Sequence, residues 1–431
     1  MDRRRFLGQV AGAVGAAAAS NAATRAETDA LCPAVQGAAG DDRLWRLLKG
    51  QFAFPPDYAY LNVAGLGACP YSVTNTVKAM MDREEESPSA AHSETDWARI
   101  RGKLAAALGP ECSADEIALV STATEGINII LNGLGLGRGD EVITSTHEHP
   151  ALNIPLLHLH ARAGLVIRTF EPDLARAEGN VDRIAALVTP RTRLIFISHV
   201  TCTTGQVFPV EAITRLAAPR GIRVALDGAQ SLCQFPIDIA QSGADFYTAS
   251  GHKFLMGPKR TGILYVRRDR LDQLAPTTVG AYSDASWSMP ERRLALRPNA
   301  QRYEYGTQND ALVYGLEAAA DLVAAVGLEA IWQHNRALVE RCRDGLATID
   351  GVDLLSPADA DARSAILSFR LRGRVNSEVA AELGRRRLRV RSVTEAGLDA
   401  VRVSFHVCND RDQVARLLEE VGRLARQAAR S

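Results

Sequence analysis

Between Glu116 and Val266 the chain alternates short apolar runs with helix-like stretches, and this alternation restricts the fold more than any other feature. The runs are Glu116-Ile-Ala-Leu-Val120, Glu141-Val-Ile-Thr144, Leu165-Val-Ile-Arg168, Leu194-Ile-Phe-Ile197, Val224-Ala-Leu-Asp227, Asp245-Phe-Tyr-Thr248 and Gly262-Ile-Leu-Tyr-Val266. Strands separated by helices predict an α/β fold whose mainly parallel sheet is sandwiched by helices. An Ala/Leu-rich stretch from Ala311 to Ile349 and a βαβ-like tail from Ala365 to about Ala429 follow. The expected organisation is a large domain over 76–310 and a smaller α/β domain made from 42–75 and 311–431.

Composition narrows the function. The 431 residues carry 50 Lys+Arg against 50 Asp+Glu, with 46% hydrophobic and 23% charged residues. That balance is globular, and zero net charge argues against a whole-molecule footprint for nucleic acid. Seven cysteines lie at 32, 69, 112, 202, 233, 342 and 408 without CxxC or Cys/His spacing, so no metal site and no disulfide framework is expected.

The N-terminus reads as an address. Asp2-Arg3-Arg4-Arg5-Phe6-Leu7-Gly8 precedes a weakly apolar Ala/Gly stretch ending near Ala19. Paired arginines before such a stretch predict a twin-arginine export signal over 1–26, then a polar linker over 27–41. The stretch is too short and too rich in small residues to remain as a membrane span. Cys32 lacks the context of a lipoprotein cysteine. The expectation is passage through the twin-arginine translocase as a folded protein, a periplasmic or secreted location, and no stable membrane insertion.

Open parallel sheets bind ligands at the carboxyl ends of their strands. Val224-Ala-Leu-Asp227 places an acid at one such end, and Asp245-Phe-Tyr-Thr-Ala-Ser-Gly-His-Lys253 places a lysine just past another. An acid and a lysine facing one pocket are what pyridoxal 5'-phosphate requires: the amine forms a Schiff base and the carboxylate keeps the pyridine nitrogen protonated. Ser121-Thr122-Ala123-Thr124-Glu125-Gly126 opens an apolar helix after a strand, a place where backbone N–H groups receive a phosphate. Each piece alone has an ordinary reading as a surface lysine, a strand-end acid or a helix cap. Together they converge on one cofactor.

In combination, Ala123-Thr124-Glu125, Glu148-His149, Ser198-His199-Val200 with Gly205, Asp227-Gly-Ala-Gln230, Ser250-Gly-His-Lys253 and Glu304-Tyr-Gly-Thr307-Gln-Asn309 resemble the class V aminotransferases. The resemblance runs from about Leu61 to Asn409 and implies a pyridoxal phosphate-dependent transferase fold. It implies that Lys253 forms the Schiff base and moves the Cα proton, that Asp227 pairs with the ring nitrogen, and that Gln230 meets the phenolic oxygen. It implies that His149 stacks on the ring. Ala123, Thr124, Ser250 and His252 would hold the phosphate, and Thr307 would reach the phosphate of a neighbouring subunit in a homodimer. Arg402 matches the arginine that takes a substrate α-carboxylate by a bidentate contact.

Departures from the family pattern point to a branch. Desulfurases use a mobile cysteine upstream of that arginine, yet Val390-Arg-Ser-Val-Thr-Glu-Ala-Gly397 contains none, and Cys342 and Cys408 do not fit the loop. Thr201-Cys202-Thr203 stands where desulfurases carry Asn, with Cys202 near the cofactor or a small buried filler. This weighs against sulfur mobilisation and resembles the isopenicillin N epimerase-like branch. The resulting expectation is an exported enzyme acting at Cα of an amino acid or at a free amino group of a peptide-like metabolite. It would work by transamination or related tailoring, siderophore maturation included. Amino-acid epimerisation or C–S lysis is the alternative, and a non-catalytic relative that only binds the cofactor stands last.

Overall fold

All seven apolar runs become strands of one sheet. The computed structural model describes residues 42–88 and 93–429; the expected export signal and linker lie outside them. In chain order the strands are β1 (Ala59–Tyr60), β2 (Ile117–Val120), β3 (Glu141–Ser145), β4 (Val166–Phe170), β5 (Thr192–Ser198), β6 (Arg223–Asp227), β7 (Phe246–Ser250) and β8 (Gly262–Val266). Strands β2 to β8 form the large sheet in the order β2-β8-β7-β6-β5-β3-β4. Only β8 runs against its neighbours β2 and β7; the remaining pairs are parallel. The connection 251–261 holds no helix, and without a crossover helix the chain returns antiparallel. β7 and β8 are buried along their whole length, as strands covered on both faces must be.

An exposed hairpin of β9 (Asp284–Ser288) and β10 (Arg293–Leu296) follows. The C-terminal part then supplies β11 (Val352–Leu354), β12 (Ile366–Leu371), β13 (Leu388–Arg389), β14 (Arg391–Val393) and β15 (Ala400–Ser404). A four-stranded sheet takes the order β11-β12-β15-β14 and is antiparallel throughout. The βαβ-like reading of the tail therefore holds for element order and not for direction. Helix Asn376–Arg385 does follow β12, but β14 and β15 form a hairpin across a short turn, which sends β15 back antiparallel to β12.

Two apolar cores fix the relation of the sheets. Leu316, Leu322 and Val323 of helix Asp310–Val326 share a core with Ile197 and Leu226 of the large sheet, so that core continues past residue 310. Leu338, Val401, Val403, Phe405 and Leu417 form the second core. Each such fully buried side chain contributes about 1.5–3 kcal/mol relative to exposure. The segment from Ala59 to Ala64 belongs to both: Ala59 and Leu61 pack in the second core, Val63 and Ala64 in the first. β1 pairs with β13, and the Ala64 N–H donates to the Ser404 hydroxyl at 2.9 Å. The N-terminal segment is thereby pinned along the seam between the sheets. Among the described residues no single helix is long and apolar enough to cross a membrane.

Candidate active site

Asp227 ends β6 and Ser250 ends β7, and their strands are in parallel register. Both therefore emerge at the same sheet edge. Asp227 is buried, and its Oδ1 accepts the Ala229 N–H at 2.9 Å. The chain can turn there because residue 228 is glycine: a Cβ would stand 1.9 Å from Cζ of Tyr247. Lys253 follows β7 by three residues, and the N-terminal segment clamps its backbone. The Gly67 N–H donates to the His252 carbonyl at 2.7 Å, and a Cβ on Gly67 would lie 2.2 Å from the Lys253 carbonyl oxygen.

Helix Ala123–Gly133 brings its N-terminus to this edge. The Thr122 hydroxyl caps it by accepting the Glu125 N–H at 3.1 Å. Gly126 abuts β7 so closely that a Cβ would meet Thr248 Oγ1 at 2.0 Å. The Ala123 N–H donates to the Ser250 hydroxyl at 2.9 Å, leaving the hydroxyl proton to turn elsewhere. The positive end of the helix is thus presented at Ala123 and Thr124.

A cavity of about 250 Å³ opens here, lined by Lys253, Asp227, Gln230 and His149. Ala123, Thr124, Ser250 and His252 form its helix-terminal side, and Arg402 reaches it from β15. Thr307 does not line it. That residue is exposed, in a segment anchored by Glu304, which pairs with Arg101 at 2.9 Å. Arg391 and the Ala64–Gly65 segment escaped the sequence reading of the site, while Cys202, offered there as lying near the cofactor or as a buried filler, is both buried and part of the cavity wall. Alternation along β14 was the only signal for Arg391, which pairs across the hairpin with Arg402.

Burial sets the charges. It pushes the Asp227 carboxyl up and the Lys253 ammonium down, and each partly offsets the other's shift. Burial, then the positive charge of Lys253, lowers His149 to about 4, so its imidazole is neutral at neutral pH. His149 Nδ1 accepts the Ala151 N–H at 3.1 Å, which leaves the ring proton on Nε2. The Cys202 thiol is pushed up to about 11 by burial and stays protonated. Arg402, buried beside Arg391, is lowered to about 10 and remains a cation. Its Nη1 donates to the Cys202 carbonyl at 2.5 Å and its Nη2 to Asn62 Oδ1 at 3.1 Å.

The donor set fits pyridoxal phosphate. Gln230 Oε1 and His252 Nδ1 are buried without hydrogen-bond partners, although Gln230 is fixed by its Nε2 donating to the Ala64 carbonyl at 2.9 Å. A buried acid, a desolvated lysine, a neutral imidazole and a helix N-terminus match a pyridinium, an aldehyde, an aromatic face and a phosphate respectively. Among the described residues no cluster of His, Cys, Asp and Glu could hold a metal ion.

Comparison with known proteins agrees with this geometry. A protein of Mycolicibacterium paratuberculosis named "Probable cysteine desulfurase" is 34% identical over 354 residues, which span 79% of this chain and 50% of that protein. The chain thus matches half the length of that relative. "Probable cysteine desulfurase 2" of Mycobacterium leprae is 32% identical over 342 residues, 75% of this chain and 80% of the relative. A solved structure of a mutant of the enzyme C-DES, with glycine covalently linked to its PLP cofactor, superposes with a TM-score of 0.79 at 25% identity, covering 87% of this chain and 98% of the other. C-DES is described as a cystine C–S lyase in its complex with the product cysteine persulfide (TM-score 0.78, 26% identity, 85% and 98% covered). The family description "Aminotransferase class-V" matches residues 74–417, and the chain belongs to that family of pyridoxal phosphate-dependent enzymes.

Proposed function

We propose that this enzyme acts at Cα of a free amino acid and cleaves a C–S bond at Cβ, releasing a thiol or persulfide. The observation that carries the reading is the placement of Lys253, Asp227, His149 and Arg402 around one cavity. Arg402 takes the α-carboxylate in two charge-assisted hydrogen bonds and so aims Cα. Bound pyridoxal phosphate supplies an electron sink for the charge left at Cα. Lys253, its ammonium destabilised by burial, holds and moves the Cα proton. Asp227 holds a positive partner at the strand end. His149 offers its Nε2–H to the departing sulfur. The balanced outcome is an S-substituted cysteine plus water giving thiol, pyruvate and ammonium.

Two considerations support lysis over the transamination expected from sequence. The relatives carry desulfurase and C–S lyase names. The stretch 390–399 nonetheless holds no thiol to accept sulfur, and the Cys202 thiol is protonated and buried, so elimination suits this cavity better than transfer to an enzyme cysteine. Product analysis with cystine, cysteine and S-alkylcysteines is the test. Pyruvate with thiol or persulfide is expected; alanine, inverted substrate or a keto acid retaining its sulfur would transfer the reading to desulfuration, epimerisation or transamination.

A second reading concerns place and assembly. On the three arginines at 3–5 we propose export, with a peptide-like or siderophore substrate as its consequence; cell fractionation with all three changed to lysines tests it. The exposure of Thr307 outside its own cavity supports a homodimer in which it serves the neighbouring subunit, tested by sedimentation.

A further inference from the structure

Arg391 and Arg402 face each other across the β14–β15 hairpin, and both line the cavity with Lys253. One α-carboxylate needs only one of them. Arg402 has a carbonyl and an amide oxygen as partners and no carboxylate within ion-pair distance among the described residues. Arg391 differs: the carboxylate of Glu395 hydrogen-bonds and ion-pairs with its Nη2. That pair is largely withdrawn from water, with side chains 29% and 16% exposed. Its geometry is built into the turn. The Thr394 N–H donates to Glu395 Oε2 at 3.1 Å, and Ala396 and Gly397 follow with φ of 55° and 70°. An alanine in the left-handed region is held there by its surroundings and not by its own preference.

We infer that Glu395 is a specificity-determining residue, an internal carboxylate that occupies Arg391 and leaves the cavity one guanidinium lacking a counter-ion. The inference rests on the cavity being an amino-acid site, as proposed above. A substrate with a second carboxylate on its side chain must displace Glu395 from Arg391 or sit beside a like charge. A tethered competitor of this kind acts at an effective concentration of about millimolar or more. A neutral, sulfur-bearing side chain meets no such competitor. Glu395 therefore admits monocarboxylic amino acids and rejects acidic ones by negative selection.

Calorimetric titration of the holoenzyme with propionate and with glutarate separates the possibilities without turnover. Wild type is expected to bind glutarate no better than propionate. Glu395→Gln should tighten glutarate roughly ten-fold or more, the value of one partly buried charge pair, while propionate moves less than about two-fold. Adding Arg391→Gln should erase that gain. Equal changes for both acids in Glu395→Gln, or a gain that survives the loss of Arg391, would overturn the inference. A glutarate affinity unmoved by Glu395→Gln in an enzyme that binds propionate sinks it alone. Wild-type holoenzyme that binds neither acid sinks the amino-acid-site reading and the inference with it.

Discussion

Replacing Arg402 by leucine should weaken substrate binding strongly while costing the fold little. The residue is 1% exposed. Two of its guanidinium nitrogens donate to Cys202 and Asn62, and its Nε has no partner. A buried cation without a counter-ion costs the fold several kcal/mol, and its two charge-assisted hydrogen bonds to neutral oxygens, at about 1.5–3 kcal/mol each, do little more than offset that cost. Arg402→Leu should therefore leave the melting temperature of the substrate-free enzyme close to that of wild type. A bound α-carboxylate supplies the missing charge through two hydrogen bonds, each contributing about 1.5–3 kcal/mol. Losing about 3–6 kcal/mol at about 1.4 kcal/mol per factor of ten lowers kcat/KM roughly 10²- to 10⁴-fold. Thermal melts and steady-state kinetics on the same preparations measure both arms. A variant that melts well below wild type yet keeps its kcat/KM would show Arg402 to be a structural cation, and the substrate-binding argument would fall.

Three further substitutions probe neighbouring parts. Asp227→Asn keeps the side chain's shape and removes its charge, so activity of the cofactor-loaded enzyme should drop roughly 10²- to 10³-fold, the value of one preorganised charge; retention of more than a tenth of wild-type rate would contradict its role. Gly67→Ala forces a Cβ against the Lys253 carbonyl at 2.2 Å, and should cost about 1–3 kcal/mol of stability and about 10² in rate; a crystal structure with an undisplaced Lys253 and full rate would refute the clamp. Glu141 is held down to about 2, chiefly by its hydrogen bond to Arg168. A depressed carboxylate contributes stability that is present above its unfolded pKa and lost as pH falls through the folded one. The melting gap between wild type and Glu141→Gln should accordingly be full at pH 7 and shrink between about pH 5 and pH 2; a constant gap would refute the charge argument.

The parts of the site carried by strand ends and helix starts were legible in the sequence because each is a local pattern. Asp227 closes an apolar run, Lys253 follows the next, and Thr122 to Glu125 open a helix; local order alone placed them at one sheet edge. Arg391 was not legible in this way. Its position beside Arg402 depends on hairpin register, a property of paired strands that no single segment encodes. The Ala64–Gly65 wall likewise arises from a seam between residues more than 300 positions apart, such as Ala64 and Ser404. The direction of β8 and the antiparallel small sheet were hidden because an apolar run reads the same whichever way its neighbour points. The cysteine-free stretch 390–397 was read correctly as residues; the relatives' names, cysteine desulfurase and C–S lyase, shift the weight to the C–S lysis that stood as the alternative, and the stretch bears on where the sulfur goes.

Every catalytic role assigned above presupposes that the amine of Lys253 carries the cofactor. Borohydride reduction of the enzyme as purified, followed by proteolysis and mass spectrometry, tests this directly. The expected result is a reduced phosphopyridoxyl group on the peptide containing Lys253, with visible absorbance before reduction that Lys253→Ala abolishes. A modified lysine elsewhere, or a colourless protein that traps nothing after incubation with pyridoxal phosphate, would contradict it.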